Sequence, residues 1–397
     1  MAVALVRAPF VEAPNTDLAP IPAARPLLPP AEAILPYLER IDAQRWYSNF
    51  GPLLGELEAR LAERHGPGVH AVTAANATQV LALALQAMDL PRGALCILPS
   101  WTFVATAHAV MLAGLRPWFL DVDQDSWTLD PETVAEALAH APGPVAAVIP
   151  VAAFGRPLDM GAWRALRDRT GVAVLVDAAA AFDAVAGGAM DCAGLPVAVS
   201  LHATKALGVG EGGYLATEDR DLADRLRQAS SFGFKGSREA RFPASNAKLS
   251  EYTAAVGLAA LDAWPETRRR WVRSSQLLRI ALSPLADAQF QPGWGCDWVS
   301  SVCVVRLPVG AVNAVSAALD RAGVQTRHWW GEGCHTSEAF AQELRAPLPV
   351  TERLACSTVG LPFAIDLSPA EIDRIAAALA GALDEGGAFG LQDEARL

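Results

Sequence analysis

Residues 172–177 read VAVLVD, a short apolar run that closes on a carboxylate. A continuous run of β-branched and aliphatic residues of this length is typical of a strand buried on both faces of a sheet. Three similar runs precede it, at Leu95–Leu98, Pro117–Asp121 and Val145–Val151. Helical patterns lie between the runs, at Gln79–Leu90, Ala105–Ala113, Pro131–His140 and Leu158–Thr170. This alternation predicts an α/β fold with a parallel sheet covered by helices.

The carboxyl ends of these strands are where such a sheet binds its ligands. Polar and small residues follow each predicted strand, at Pro99–Thr102, Asp121–Asp123, Ala152–Gly155 and Asp177–Ala181. We therefore expect the functional site at this edge. Asp177 caps an apolar strand, so its carboxylate is expected to be buried and paired with a polar or cationic group.

Lys205 follows the next strand-like stretch in a small, polar loop, and the glycine-rich turn Gly208–Gly213 comes directly after it. A strand-end acid and a lysine in a glycine-flanked loop are what pyridoxal phosphate chemistry requires. The amine bonds to the cofactor aldehyde, and the acid keeps the pyridine nitrogen protonated so that the ring accepts electrons. A lysine considered alone would more simply be a solvated surface residue, but this neighbourhood favours the cofactor.

The glycine-rich turn also matches the spacing of a dinucleotide-binding loop. That fingerprint must follow a strand and open a helix. Here the glycines precede a strand-like segment, Tyr214–Thr217, which is the reverse order. The glycines are better explained as residues that let the backbone pass close to the cofactor and that fix the loop of Lys205.

Candidate phosphate and ring contacts complete the predicted site. Thr73–Thr78 opens a helix, whose free N–H groups suit a phosphate, although an ordinary helix cap explains the same residues. Ser200, shortly before Lys205, could be a second phosphate ligand. Phe103 follows a strand end and could stack on a planar ring or simply pack in the core.

The composition is that of an acidic globular protein with 397 residues, 52% hydrophobic residues and a net charge of −11. An acidic chain argues against nucleic-acid and anionic-membrane partners. No apolar run has membrane-spanning length, and the start lacks a signal-peptide pattern. The six cysteines are scattered without a CxxC pair, which predicts free thiols in a reducing cytoplasm and no metal site.

The chain changes character after about Trp264. The predicted helix Pro265–Leu282 leads to strands at Val302–Leu307 and Gln325–Trp330, and to helices at Asn313–Ala322 and Pro369–Leu383. We predict an N-terminal arm at residues 1–20, a large domain at 21–263 and a smaller α+β domain at 264–397.

In their order, the segments of this chain resemble the PLP-dependent sugar aminotransferase family that includes DegT and StrS, from about Ile21 to Leu383. The segments Asp177–Ala179, Ser200–Lys205 and Gly210–Gly213 are the most specific. The others are Ile21–Pro22, Tyr47–Pro52, Asn76–Thr78, Pro99–Thr106, Asp121–Asp123, Phe154–Met160, Asn246–Glu251 and Leu361–Pro362. The resemblance implies the fold of aspartate aminotransferase (fold type I). In that fold a mainly parallel, seven-stranded sheet lies between the helices of a large PLP-binding domain, with a smaller C-terminal α+β domain.

The resemblance also implies roles. Lys205 would bond to pyridoxal 5'-phosphate (PLP) and move the proton, Asp177 would pair with the pyridine nitrogen, and Phe103 would stack on the ring. The phosphate would be held by Ala77, Thr78, Ser200 and, from a neighbouring subunit, Asn246, which implies a homodimer with shared active sites. Substrate positions would be Tyr47, Asn49, Lys248, Trp330 and His335. The implied reaction moves an amino group from an amino-acid donor, glutamate, to a nucleotide-linked keto-sugar.

Three positions depart from the family pattern: Ala180 stands where a glutamine or histidine is usual, Val176 replaces an acid, and Ala152 replaces a histidine. These losses leave two alternatives open. One is a PLP enzyme that acts on a non-sugar ketone or catalyses elimination. The other is a PLP-binding regulatory protein without catalysis, although retention of Lys205 and Asp177 argues against it.

Overall fold

The computed structural model describes residues 19–192 and 194–386. The predicted arm at residues 1–20 lies outside this range except for its last two residues. The elements that carry the large sheet alternate along the chain as expected. They are α1 Ala31–Gln44, α2 Pro52–Glu63, β1 His70–Ala74, α3 Ala77–Ala87, β2 Leu95–Pro99, α4 Val104–Leu112, β3 Arg116–Leu120, α5 Pro131–Ala139, β4 Val145–Val148, α6 Met160–Thr170, β5 Ala173–Val174, β6 Val176–Asp177, α7 Phe182–Ala186, β7 Val197–Ser200, β8 Gly213–Thr217 and α8 Arg220–Ala229.

A five-stranded parallel sheet forms the centre, in the order β11–β3–β2–β4–β5, where β11 is the short strand Leu344–Arg345. The predicted parallel sheet is thus confirmed. Every residue of β2 is buried, which explains its unbroken apolar sequence, because both faces of the strand are covered. The predicted strand Val145–Val151 is shorter in the structure, since β4 ends at Val148 and only Val151 continues as an isolated bridge to Asp177.

A second sheet has four strands in the order β1–β8–β7–β6, with antiparallel pairing of β8 to both its neighbours. The expected seven-stranded sheet is not confirmed as such. The two sheets meet at residues 173–177, where Leu175 N–H donates to Val148 O at 3.0 Å and Val176 N–H donates to Pro196 O at 2.9 Å. The predicted strand Val172–Asp177 therefore connects both sheets and carries Asp177 to their common edge.

The C-terminal part is built on the long helix α9, Glu251–Leu282. It begins earlier than predicted because the Ser250 side chain caps it by accepting from Thr253 N–H. Pro265, the predicted start, lies inside the helix. The helix runs without a break across residues 263–264, where the sequence placed a domain boundary.

A three-stranded antiparallel sheet follows, in the order β12–β10–β9. The elements of this part are β9 Gln289–Phe290, β10 Cys303–Arg306, α10 Val312–Arg321, α11 Pro349–Ser357, β12 Thr358–Leu361 and α12 Pro369–Gly386. The strand near Val302–Leu307 and both predicted helices are confirmed. The predicted strand Gln325–Trp330 is wrong, because only Arg327 pairs, with Gly360, before the chain turns at Gly331 with a φ of 55°.

The described residues give three further results. None of their helices is long and apolar enough to cross a membrane. No group of three or more histidine, cysteine or acidic side chains among them is placed to hold a metal ion. All six cysteines are free thiols, and four of them are buried.

One buried polar pair makes the stability of the fold depend on pH. His65 Nε2 lies 3.0 Å from the hydroxyl of Tyr214, a side chain with no exposed surface. Burial, aided by the positive charge of Arg64, lowers the pKa of His65 from 6.5 to about 4. Between these values the unfolded chain binds a proton that the folded chain does not, so acidification favours unfolding.

We expect the free energy of unfolding to fall by up to about 3 kcal/mol as the pH drops from 6.5 to 4 through this group alone. Urea titrations across this range measure it. His65→Gln should flatten the slope, while His140→Gln, at an exposed position, should leave it unchanged. Equal slopes for all three proteins would contradict the assignment.

Candidate active site

Asp177 ends β6 at the carboxyl edge of the sheets and is 4% exposed. One carboxylate oxygen accepts from the hydroxyl of Thr106 at 2.8 Å, and the other accepts from the N–H of Ala179 at 3.1 Å. The carboxylate is therefore buried and paired, as its position at the end of an apolar strand predicts.

The charges of Asp177 and Lys205 are coupled. Burial raises the pKa of Asp177, and the bonds from Thr106 and Ala179 together with the charge of Lys205 oppose the rise. Burial lowers the pKa of Lys205, and the negative charge of Asp177 opposes that change. A cation close to Asp177 is thus needed to keep it ionised, and the lysine is shifted toward its neutral, nucleophilic form.

The loop of Lys205 is fixed by the glycine-rich turn. Ala203 N–H donates to Gly210 O at 2.7 Å, and Leu201 N–H donates to Gly212 O at 2.9 Å. A Cβ on Gly208 would lie 2.8 Å from Ala203 O, so a larger residue would push the loop away. The glycines precede β8 and open no helix, in agreement with the rejection of a dinucleotide fingerprint.

The start of α3 and Ser200 meet at Gly213. A Cβ on Gly213 would lie 2.7 Å from Ala77 N, and Gly213 is also the register partner of Ser200. Asn76 caps the helix by accepting from Gln79 N–H at 2.9 Å. The N–H groups of Ala77 and Thr78 come before the first intrahelical bond, so they have no partners within the helix. Gly213 thus brings the start of α3 close to the strand that carries Ser200, and the dipole and free N–H groups of a helix start favour an anion.

Phe103 is 58% exposed, so the alternative of core packing is wrong for this ring. It immediately precedes α4, whose residue Thr106 bonds to Asp177. Phe103 therefore lies three residues before the hydroxyl that bonds to Asp177, and its exposed ring is available to a planar group.

Asn246 and Lys248 lie on a neighbouring surface. Ala75 N–H donates to Ala247 O at 2.7 Å, which places this segment beside the start of α3. The Lys248 ammonium donates to the side-chain oxygen of Asn246 and lies 4.7 Å from the ring centre of Phe232. Neither side chain has a recorded contact with Lys205 or Asp177 within the described residues of this single chain.

Tyr47 and Asn49 lie in the segment before α2, and Tyr47 contacts the start of α9. Tyr47 stacks on Tyr252 with ring centres 6.2 Å apart, and its carbonyl accepts from Glu251 N–H at 3.1 Å. Asn49 has a positive φ of 63°, in the tight turn before α2. The aromatic rings are about half exposed, so this surface is apolar and open.

The other two predicted substrate residues lie near the carboxyl end of β2. Trp330 stacks on Phe154 with ring centres 3.8 Å apart and meets the edge of Trp101. His335 is buried, and its Nδ1 is 2.7 Å from Ser100 Oγ. Sequence reasoning singled out neither Ser100 nor Thr106, although each is a polar residue at or just beyond a strand end.

At Ala152 and Ala180, which replace polar residues of the family pattern, the contacts are made by the backbone. Ala152 N–H donates to Asp177 O at 2.9 Å, and a Cβ on Gly155 would lie 2.7 Å from Ala180 O. The segments that usually carry polar side chains are thus still held against the strand of Asp177, but they present no side-chain donor there.

A small pocket touches Lys205 from the side of the N-terminal segment. Its walls include Ala24–Leu27, Trp271 and Ser301. Arg25 anchors this segment through ion pairs to Asp366 and Glu371, each at 3.0 Å.

The family model described as the DegT/DnrJ/EryC1/StrS aminotransferase family matches residues 30–380. The chain belongs to this family. UDP-2-acetamido-2-deoxy-3-oxo-D-glucuronate aminotransferase from Pseudomonas aeruginosa is 30% identical over 341 residues, covering 83% of this chain and 90% of that protein.

Two solved structures are similar over most of their length. DesI, determined in the presence of its TDP-sugar product, is 34% identical with a TM-score of 0.82, covering 93% of this chain and 96% of that one. A putative PLP-dependent aminotransferase from Bacillus cereus is 27% identical with a TM-score of 0.84, covering 91% of this chain and all of that one. The resemblance is confirmed, and the protein is a PLP-dependent aminotransferase.

The residues present fit that cofactor. A buried carboxylate needs a cation, which a protonated pyridine nitrogen supplies. The close approach of Gly213 to the start of α3 leaves backbone donors for a phosphate, and the exposed ring of Phe103 is available for stacking.

Thr106 is expected to keep Asp177 ionised. Thr106→Val removes the hydroxyl bonded to the carboxylate, which should raise the pKa of Asp177 and weaken PLP binding about tenfold. Titration of the apoenzyme with PLP, followed by absorbance, measures the affinity. Thr106→Ser keeps the hydroxyl and should retain near-normal binding; equal losses in both variants would show that packing alone is involved.

Proposed function

We propose that this aminotransferase moves an amino group from an amino-acid donor, glutamate, to a nucleotide-linked keto-sugar. The observation that carries the reaction is Lys205 in a fixed loop, electrostatically coupled to the buried carboxylate of Asp177. The names of two relatives support the acceptor: one is a UDP-linked keto-sugar aminotransferase, and the other was solved with a TDP-sugar product.

When bound, PLP supplies an aldehyde and a pyridine ring that accepts electrons from the substrate carbon. The structure supports a division of labour among the residues of the chain. Asp177 would hold a proton on the pyridine nitrogen, Phe103 would orient the ring, and Ala77, Thr78 and Ser200 would bind the phosphate.

Lys205 would act as the acid–base group. Its Nζ takes a proton from the substrate carbon of the donor and returns one to the carbon of the acceptor, so that no net proton is lost over both halves of the reaction. A neutral amine is needed for the first transfer, and the burial that lowers the pKa of Lys205 favours that form.

A homodimer with shared sites would explain the exposed aromatic surface around Tyr47 and Tyr252. Tyr47 and Asn49 precede α2, Asn246 and Lys248 precede α9, and Tyr47 stacks on Tyr252 of α9 with both rings about half exposed. Among the described residues of this single chain, none of the four side chains is hydrogen-bonded to Lys205. A second copy docked there would bury the aromatic rings and bring Asn246 to the partner's phosphate site. The small C-terminal domain, with its boundary near residue 263, and a cytoplasmic location are parts of the same proposal.

A non-sugar ketone is the second candidate for the acceptor. Ala180 and Ala152 leave the strand of Asp177 without the polar side chains usual in the family, so recognition near the cofactor differs from the pattern. A panel of keto-sugars and simple ketones, each with glutamate as donor, distinguishes the two.

Lys205→Ala should abolish turnover while leaving the fold intact. Steady-state assays and circular dichroism measure the two properties. Borohydride reduction of the wild-type holoenzyme, followed by peptide mapping, should label residue 205. Wild-type rates in the variant, or a label on another residue, would refute the role of this lysine.

Mixing two inactive variants tests the shared site. Asn246→Ala and Lys205→Ala proteins should each lose most activity, and a mixed dimer should regain one intact site. Random exchange of subunits in an equal mixture makes half of the dimers mixed, and each mixed dimer has one intact site of two. The mixture should therefore regain about one quarter of the wild-type rate. Sedimentation analysis confirms the dimer; no recovery in a confirmed mixed dimer would place Asn246 in the site of its own subunit.

A further inference from the structure

Ser100 and His335 form a buried hydrogen-bonded pair at the carboxyl end of β2. Ser100 directly follows the strand and has no exposed surface, and His335 is 8% exposed in the single-turn helix Cys334–Thr336. Their Oγ and Nδ1 atoms are 2.7 Å apart. Neither side chain has a part in holding the cofactor.

A short network connects this pair to the catalytic carboxylate. Cys334 N–H donates to Ser100 O at 2.8 Å, and the Cys334 thiol donates to Thr102 O at 3.2 Å. The hydroxyls of Thr102 and Thr106 are 3.0 Å apart, and Thr106 donates to Asp177. The pair therefore lies beside the site, on the segment that also carries Phe103.

The hydrogen bonds of Ser100 determine which nitrogen of His335 carries the proton. Ser100 Oγ accepts from the backbone N–H of His335 at 3.3 Å. Because Ser100 is fully buried, its own hydroxyl proton needs an acceptor in the protein, and Nδ1 is the acceptor recorded for it in the described part of the chain. Nδ1 is therefore unprotonated, and the ring proton is on Nε2.

The ring is also held neutral. Burial and the charge of Arg345 lower the pKa of His335, while Glu352, Asp121 and Glu332 oppose that change. Within the described residues Nε2 has no recorded partner, and it is not among the fully buried polar atoms that lack one. Nε2 therefore has no acceptor among the described residues and keeps some accessible surface.

Aromatic side chains lie near His335 along the chain. Gly333 N–H donates to Trp330 O at 3.0 Å, which closes a turn two residues before His335. Trp330 meets the edge of Trp101, the neighbour of Ser100, with ring centres 5.4 Å apart. An aromatic surface next to a polar donor is an arrangement that binds a ring bearing hydroxyl groups.

We propose that Ser100 is a positioning residue that fixes His335 as the Nε2–H tautomer, and that this N–H donates to a hydroxyl or carbonyl oxygen of the keto acceptor. The inference rests on the proposed function for the identity of the acceptor. The proposed tautomer rests on the hydrogen bonds of Ser100 and does not depend on the identity of the acceptor.

Kinetics of the holoenzyme test whether Ser100 and His335 take part in recognition of the keto acceptor. Ser100→Ala should raise the KM of the keto-sugar about tenfold, while the rate of the glutamate half-reaction stays unchanged. His335→Gln, whose amide N–H can replace Nε2–H, should retain more acceptor affinity than His335→Asn. Adding Ser100→Ala to His335→Gln should have no further effect on KM if Ser100 acts through the tautomer.

Ser357→Ala is the matched control. Ser357 is also buried, and its hydroxyl donates to Arg353 O. This variant should lose stability without a change in acceptor KM. If Ser100→Ala also leaves acceptor KM unchanged, or slows the glutamate half-reaction by the same factor as it raises KM, the positioning role is refuted.

Nitrogen NMR of the ¹⁵N-histidine-labelled holoenzyme tests the tautomer without turnover, with His335→Gln identifying the signals. The wild type should show a protonated Nε2 and an unprotonated Nδ1, and Ser100→Ala should shift this distribution. A protonated Nδ1 in the wild type would overturn the inference. If the glutamate half-reaction proceeds but no keto-sugar is aminated, the proposed acceptor fails while the tautomer result stands.

Discussion

A carboxylate buried at the end of a strand is the constraint on which the site depends. The charge of Asp177 is stable there only if donors and a cation replace water. Thr106 and Ala179 supply the donors, and Lys205 supplies positive charge. The same burial shifts the lysine toward its neutral form. Burial disfavours the charged form of both groups, so the carboxylate needs donors and a nearby cation to stay ionised, while the amine is shifted toward the form that reacts.

The backbone brings the remaining groups to that carboxylate. Residues 173–177 belong to both sheets, so the strand that ends in Asp177 is held from two sides. On one side β7 and β8 bring Ser200, Gly213 and the start of α3 together. On the other side β2 leads to Phe103 and to the paired Ser100 and His335. The site is thus assembled from several chain segments that share one sheet edge, as parallel sheets generally arrange their ligands.

The sequence allowed much of this arrangement to be predicted because apolar runs and strand-end polar residues are local signals. The parallel strands, Asp177 and the loop of Lys205 follow from them. Other features depend on contacts between distant segments. The early start of α9 depends on a serine cap ahead of a proline that usually marks a helix start, and the failed strand at Gln325–Trp330 depends on a turn at Gly331. Thr106 and Ser100 could not be singled out, since isolated hydroxyls acquire meaning only from their partners.

The long helix α9 has a mechanical consequence. Proline lacks the N–H that the carbonyl of Leu261 would otherwise bind, so the turn from Leu261 to Pro265 has one hydrogen bond fewer than its neighbours. The turns before it pack against α2, and the turns after it lead to the antiparallel sheet. If the turns after Pro265 rotated relative to the turns before it, α9 would bend at this turn, and Pro265 would then be the pivot.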